Sequence, residues 1–296
     1  MLGVVNLDKP VGPTSHDMVG LMRRLTGTRR IGHAGTLDPL ASGVLPILVG
    51  GATRFSEELT GGRKRYHAVI RLGQTTETDD AEGSITVVGR PLPDRDAVRE
   101  ALDAFVGTFD QRPPAFSARK MGGRTAHRAA RAGEPIALPA RTVTVDAIDL
   151  VGLDEGDGWL DVSIDLRCGP GTYVRSIARD LGDRLGVGGH LHALRRTEAA
   201  GLRVDDARTP EQLEALASDG RLAEALRPVA ELIALPSVSL EPDAAWRFAH
   251  GSLQRLGDGS SGRVKVLDER GQLLGIGALD GGQLRPEKVV AVDAGA

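Results

Sequence analysis

The residues with the most chemical potential in this chain lie in Gly32-His33-Ala34-Gly35-Thr36-Leu37-Asp38-Pro39-Leu40-Ala41-Ser42-Gly43. The glycines allow backbone that a side chain would forbid, and Pro39 pushes Asp38 out of the helical region. A carboxylate is therefore presented from a loop of defined shape. Such a loop suits a catalytic group. An Asp-Pro flanked by glycines is also a common turn, and these residues alone leave both readings open.

Elements on either side must position that loop. Thr14, Ser15 and Asp17 mark a helix start, and Met18, Leu21, Met22 and Leu25 recur at helical spacing until Gly27. Tyr66, Ala68, Ile70 and Leu72 alternate with Arg65, His67, Val69 and Arg71, which predicts a strand ending at Gly73. Val98, Leu102 and Phe105 mark a helix stopping near Gly107. Pro113-Pro114 then interrupts regular structure and opens what reads as an insertion, about 111–142. Leu160 to Cys168 alternate as a half-buried strand. Gly169-Pro170-Gly171 breaks it, and Thr172 is expected to cap a helix whose Val174, Ile177, Leu181 and Leu185 share one face, ending at Gly186. Arg175 and Arg179 share the other face. Strands and helices mixed without regular βαβ alternation predict an α+β domain with a largely antiparallel sheet flanked by helices and loops. A compositional break at Leu235-Pro236-Ser237 divides the chain into 1–231 and a small, mostly β domain at 232–296, with a helix from Asp243 to His250 and a hairpin around Asp268-Glu269-Arg270-Gly271.

With 296 residues, 41% of them hydrophobic, the chain can bury a substantial core. No run approaches the length of a membrane span and no secretory leader is read at Met1, so a cytoplasmic location is expected. The lone Cys168 closes an alternating apolar run and is expected to be a buried structural thiol. The net charge of -3 hides an asymmetry: residues 1–150 carry 20 Lys and Arg against 17 Asp and Glu, whereas 151–296 carry 17 against 23. Residues 111–133 hold Arg112, Arg119, Lys120, Arg124, Arg128 and Arg131 with no acid. Charge alone reads equally as a solvated loop or as a phosphate-binding surface.

The segment GHAGTLDPLASGVLPILVGGAT resembles the core motif of the bacterial tRNA pseudouridine-55 synthase family, TruB. The resemblance extends in order through LDKPVGPTS at 7–15, KRYHAVIRLGQTTETDDAEG at 64–83, PPAFSARKMGGRTAHRAARAGE at 113–134, CGPGTYVRSIARDLG at 168–182 and HLHALRRTEAAG at 190–201. The last 60 or so residues resemble that family's PUA domain, an RNA-binding module. The resemblance implies a pseudouridine synthase fold and isomerisation of a uridine at position 55 in the T-arm loop of tRNA. It implies Asp38 as the catalytic aspartate, Arg175 as its arginine partner, and His33 beside the flipped nucleotide. Tyr66 then packs on the target base, Tyr173 stands nearby, and Leu194 forms an apolar wall. Phe116 stands where that family commonly has a tyrosine.

A base stacked in RNA must be extruded before any side chain can reach it, and His33 suits that task. Lys64, Arg119, Lys120, Arg124, Arg128, Arg195 and Arg196 are expected to follow RNA phosphates, with the folded shape of the T-arm recognised. No cofactor is expected, because isomerisation consumes none. No metal site is expected either: His190-x-His192 lacks acidic or sulfur partners and reads as structural or RNA-facing. Asp79-Asp80 reads as an acidic turn without the spacing of a calcium loop, and Gly50-Gly51 lacks any phosphate-loop pattern. The chain is expected to act as a monomer, with no guide RNA, protein partner or membrane.

Overall fold

The computed structural model describes residues 1–88, 90–116, 120–121, 124–125, 136, 138–256 and 259–290. The elements that matter for the site are, in chain order, β1 (Gly3–Lys9), α1 (Ser15–Thr26), β2 (Ile31–His33), β3 (Ala41–Val49), β4 (Lys64–Leu72), α2 (Arg95–Asp103), β5 (Gly107–Gln111), β6 (Arg141–Gly156), β7 (Trp159–Cys168), α3 (Val174–Leu185) and β8 (Gly189–Ala199). They form a ten-stranded sheet whose spine runs β1-β3-β8-β4-β7-β6-β5, with the short strand Leu226–Arg227 outside β1 and β2 on β3. Its pairings are antiparallel except β3 with β8. This is the α+β, largely antiparallel sheet that the residue pattern predicts.

Alternation along the strands sorts the two faces. Ala68, Ile70 and Leu72 of β4 and Val162, Ile164 and Leu166 of β7 are fully buried under Ile177, Ala178 and Leu181 of α3. Each large aliphatic side chain there contributes about 1.5–3 kcal/mol relative to exposure. On the reverse face Arg65 pairs with Asp165 at 2.8 Å and Arg71 with Asp161 at 2.7 Å. Cys168 is buried, as expected of a structural thiol.

Helix α1 starts where its capping residues place it: the Thr14 side chain accepts from the Asp17 amide, Asp17 caps in return, and Gly27 closes the helix in left-handed backbone at φ 68°. At α3 the expected cap is corrected. Tyr173, not Thr172, occupies the N-cap position, and Thr172 instead donates from Oγ1 to the Gly169 carbonyl. Gly186 ends the helix at φ 70°.

Beyond residue 235 a second, five-stranded sheet forms, with the helix Pro242–Ala249 against it. The expected hairpin is Gly262–Leu267 with Leu273–Asp280. A third strand, Gln283–Val289, escaped the sequence reading because Arg285, Pro286, Glu287 and Lys288 obscure its alternation. Leu273 and Ile276 of this sheet pack in one cluster with Val4, Leu48, Phe55 and Val229, so apolar contact crosses the break. Among the described residues no helix is long and apolar enough to cross a membrane.

Candidate active site

Asp38 sits on the loop between β2 and β3, and that loop is braced from three directions. Ser15, buried at the start of α1, both donates to the Leu37 carbonyl at 2.9 Å and accepts from the Leu37 amide at 2.8 Å. Lys9, 0% exposed at the end of β1, donates to the carbonyls of Pro10 at 2.8 Å, Pro13 at 2.7 Å and Pro39 at 3.4 Å. Burial pushes its ammonium down to about 8, against the opposing pull of nearby Asp38. Arg196, 1% exposed on β8, donates from Nε to the Val44 carbonyl at 2.7 Å and from its guanidinium to the Gly35 carbonyl at 3.0 Å. Gly43 has φ +102°, and a Cβ there would collide with the Arg196 backbone, so only glycine lets β3 and β8 approach so closely.

The carboxylate of Asp38, 38% exposed, meets Arg175 of α3 at 3.0 Å. Arg175 is itself buried, and its other nitrogen meets Asp80 at 3.3 Å. It also donates to the carbonyls of Thr78 at 3.2 Å and Phe116 at 2.9 Å. Asp80 is held in turn by the Thr78 hydroxyl at 2.6 Å and the Glu82 amide at 3.1 Å. One guanidinium is thus locked between two carboxylates, and its planar fork fixes the orientation of the more exposed one. Asp38, Tyr66, Tyr173, Arg175 and Leu194 line a cavity of about 290 Å³. Tyr66 is buried, and desolvation pushes its hydroxyl above the usual tyrosine range, so it presents a neutral ring.

His33 ends β2, its Nδ1 buried without a partner among the described residues. Burial, then the positive charge of Arg196 and the neighbouring His16, lower its pKa and favour the neutral ring. It lies outside the cavity lining, at the strand that feeds the Asp38 loop.

Two of the residues expected at phosphates, Lys64 and Arg196, are buried here and stand in the lining of the same cavity. Arg196 gives two of its five N–H donors to the loop carbonyls described above. Lys64 donates to the carbonyls of Thr60 at 2.7 Å and Gly62 at 2.6 Å, and burial lowers its pKa to about 8. Both face inward because Tyr66, Lys64 and Arg196 share the core side of β4 and β8. Arg195, on the opposite side, reaches Asp8 with two bonds at 2.7 and 3.1 Å. Arg119 and Arg128 lie outside the described residues; Lys120 and Arg124 fall on two short paired strands, Lys120–Met121 and Arg124–Thr125.

Sequence reasoning missed Lys9, Ser15, Asp80 and Gln111 as parts of the site. Lys9 and Ser15 bracket Pro10-Val11-Gly12-Pro13-Thr14, the only local hint of a fixed turn, and Asp80 was read as part of an acidic turn. The turn exists, with Asp79 at φ 61°. Its carboxylates point to Arg175 and, at 3.0 Å, Arg179, which α3 supplies from about 100 residues away.

Models of known families match nearly the whole chain: TruB family pseudouridylate synthase (N terminal domain) over residues 23–174, tRNA pseudouridylate synthase B C-terminal domain over 175–234, and pseudouridine synthase II TruB, C-terminal, over 236–290. A tRNA pseudouridine synthase B of Thermobifida fusca (strain YX) is 46% identical over 296 residues, covering 98% of each chain. One from Ralstonia nicotianae is 43% identical, covering 97% of this chain and 94% of the relative. Among solved structures, an H/ACA RNP bound to a substrate RNA containing 2′-deoxyuridine matches with a TM-score of 0.73 and 25% identity, over 97% of this chain and 84% of the other. The archaeal box H/ACA sRNP Nop10–Cbf5 complex matches with 0.73 and 26%, over 97% and 86%.

Proposed function

The chain belongs to the TruB family of pseudouridylate synthases, and from that premise we propose that it isomerises uridine 55, in the T-arm loop of tRNA, with Asp38 as the catalytic carboxylate. Pseudouridine synthase activity on tRNA, an isomerisation, follows from the near full-length similarity to relatives of that name. The observation that carries the choice of Asp38 is its 3.0 Å pairing with buried Arg175 at the wall of a cavity shared with Tyr66.

In the reaction the N1–C1′ bond breaks and a C5–C1′ bond forms. C5 loses its proton and N1 gains one, so atoms and electrons balance with no oxidant or cofactor. The residues here divide that work. Arg175 orients Asp38 toward the flipped nucleotide, where the carboxylate adds to the base, attacks the sugar or removes a sugar proton. Tyr66 packs on the uracil and keeps water out while the detached base turns, and Leu194 offers a wall that makes no competing hydrogen bond. Neutral His33 braces the RNA loop from which the uridine leaves.

The acid-free stretch 111–133 supplies phosphate contacts, Arg119, Lys120, Arg124 and Arg128 among them, and residues 232–296 act as a PUA-like RNA-binding module. The enzyme works as a cytoplasmic monomer without guide RNA or protein partner. Identity of 43–46% to relatives named for tRNA, against 25–26% to proteins from H/ACA complexes, supports action on tRNA without a guide. The test is incubation of the purified protein alone with an unmodified tRNA transcript, mapping pseudouridine by position and following tritium release from C5-labelled uridine. Modification at 55, lost in Asp38→Asn with tRNA binding retained, is the expected result. Modification elsewhere, or an Asp38→Asn rate within about tenfold of wild type, overturns it.

A further inference from the structure

We propose that Gln111 is a positioning residue for the reaction, a one-residue rung that sets the start of α3 and thereby the Arg175–Asp38 pair. The proposal rests on the reading of Asp38 as the catalytic group. Gln111 is the last residue of β5, pairing with Arg141, and lies where the strand leads into the basic insertion. It is 1% exposed. Its carboxamide nitrogen donates to the Tyr173 carbonyl at 3.0 Å, and its carboxamide oxygen accepts from the Tyr173 amide at 2.9 Å.

An extended residue presents its N–H and C=O on the same edge, which is how one residue of an antiparallel ladder exchanges two bonds with its partner. Tyr173 is extended, at φ -102° and ψ 113°, and no side chain caps the helix that follows it. A planar primary carboxamide, with one donor and one acceptor side by side, is the neutral side chain that reproduces a peptide group on that edge. Gln111 therefore continues the sheet by one rung onto the N-cap of α3. The Tyr173 carbonyl accepts a second bond from the Ile177 amide, the first turn of the helix, so the same oxygen is tied both to the sheet edge and to α3.

The residues after Gln111 reinforce the link. The Arg112 carbonyl accepts from Ser176 Oγ at 2.8 Å and from Arg179 at 3.0 Å, and the Phe116 carbonyl accepts from Arg175 itself. Tyr173 and Arg175 line the cavity; Gln111 does not, so it acts through them. The segment 111–116 is the root of the basic insertion laid across the first turn of α3. Of the hydrogen bonds described between this segment and α3 with its N-cap, those of Gln111 run through its side chain, whereas those at Arg112 and Phe116 run through backbone carbonyls.

The experiment compares wild type, Gln111→Met, Gln111→Glu and Asp38→Asn, measuring the single-turnover rate at saturating enzyme, tRNA affinity and the thermal midpoint. Gln111→Met keeps the volume and loses both bonds. Its rate should fall roughly 10- to 100-fold, since small misplacements of catalytic groups cost that much, while tRNA affinity stays close to wild type and the thermal midpoint drops by only a few degrees, roughly what one buried amide left without its partner costs. Gln111→Glu supplies the sharper signature. Ionised, the new carboxylate faces the Tyr173 carbonyl with no donor; protonated, it again offers one donor and one acceptor. The rate of Gln111→Glu relative to wild type should therefore rise as the pH is lowered toward the carboxyl range. A wild-type rate in Gln111→Met, a pH-independent ratio for Gln111→Glu, or a rate loss matched by equal losses in affinity and thermal midpoint would each overturn the positioning role. An active Asp38→Asn would instead overturn the reading of the catalytic group, whatever Gln111 does.

Discussion

Replacing Arg196 by Met separates two physical roles for that residue that differ in every measurable consequence. As an RNA contact it would neutralise one phosphate, so its loss would reduce the magnitude of the log K versus log salt slope by about 0.7–0.9 and leave stability unchanged. As the buried brace seen here, it makes two charge-assisted hydrogen bonds, to Val44 and Gly35. Each contributes roughly 1.5–3 kcal/mol. Recovering the desolvation of a buried guanidinium offsets part of that. The net loss is about 2–3 kcal/mol, or roughly 5–10 °C in thermal midpoint for a chain of this size. The Gly35 carbonyl lies three residues before Asp38, so the single-turnover rate should also drop by about tenfold or more. Removing the charge should raise the pKa of His33, because Arg196 is second only to burial in lowering it. The assays are thermal unfolding, single-turnover tritium release and tRNA affinity over a salt series. A reduced salt slope with an unchanged midpoint would refute the buried-brace argument.

Tyr66→Phe should keep most of the rate, because the ring is buried against the cavity, whereas Tyr66→Ala should lose most turnover and about 3–5 kcal/mol of stability; equal rates for the two would exclude a packing role. Burial takes Lys9 from 10.5 to about 8, so between those values the folded chain binds fewer protons there than the unfolded chain, and stability rises with pH across that window. Lys9→Met should flatten that rise while leaving the slope contributed by Lys64; parallel denaturation curves for both proteins from pH 8 to about 10 would contradict it. Cutting the chain after residue 231 uncovers the cluster that Leu273 and Ile276 complete with Val4 and Phe55, so the truncated protein should melt earlier, by an amount that Ile276→Ala reproduces in part, at about 2–5 kcal/mol. Calorimetry of the intact chain giving two transitions, with the first unmoved by Ile276→Ala, would show that the two sheets are energetically independent.

The sequence by itself determined whatever depends on neighbours a few residues apart. The start of helix α1 at Thr14 to Asp17, the alternation of β4 and β7, the glycine stop after α3 and the presentation of Asp38 ahead of a proline are local consequences of steric and periodic rules, and each is found where it was read. The pairing of Asp38 with Arg175 was legible through resemblance, not through spacing. Tertiary structure alone decided which polar groups became braces. Arg195 and Arg196 are adjacent and chemically identical, yet one reaches Asp8 on a half-exposed face while the other is buried beside Tyr66. Register shifts in β8, between Leu191 and Ala193 and between Arg196 and Glu198, break the simple alternation that would have assigned them. Lys9, Asp80 and Gln111 share the same history. Each is an ordinary polar residue in sequence, and each acquires its role from a carbonyl, guanidinium or amide brought to it from 30 to 95 residues away. Burial without a partner is costly, so a polar side chain that the sheet order encloses must find its bonds wherever the fold supplies them, and no local pattern records where that will be.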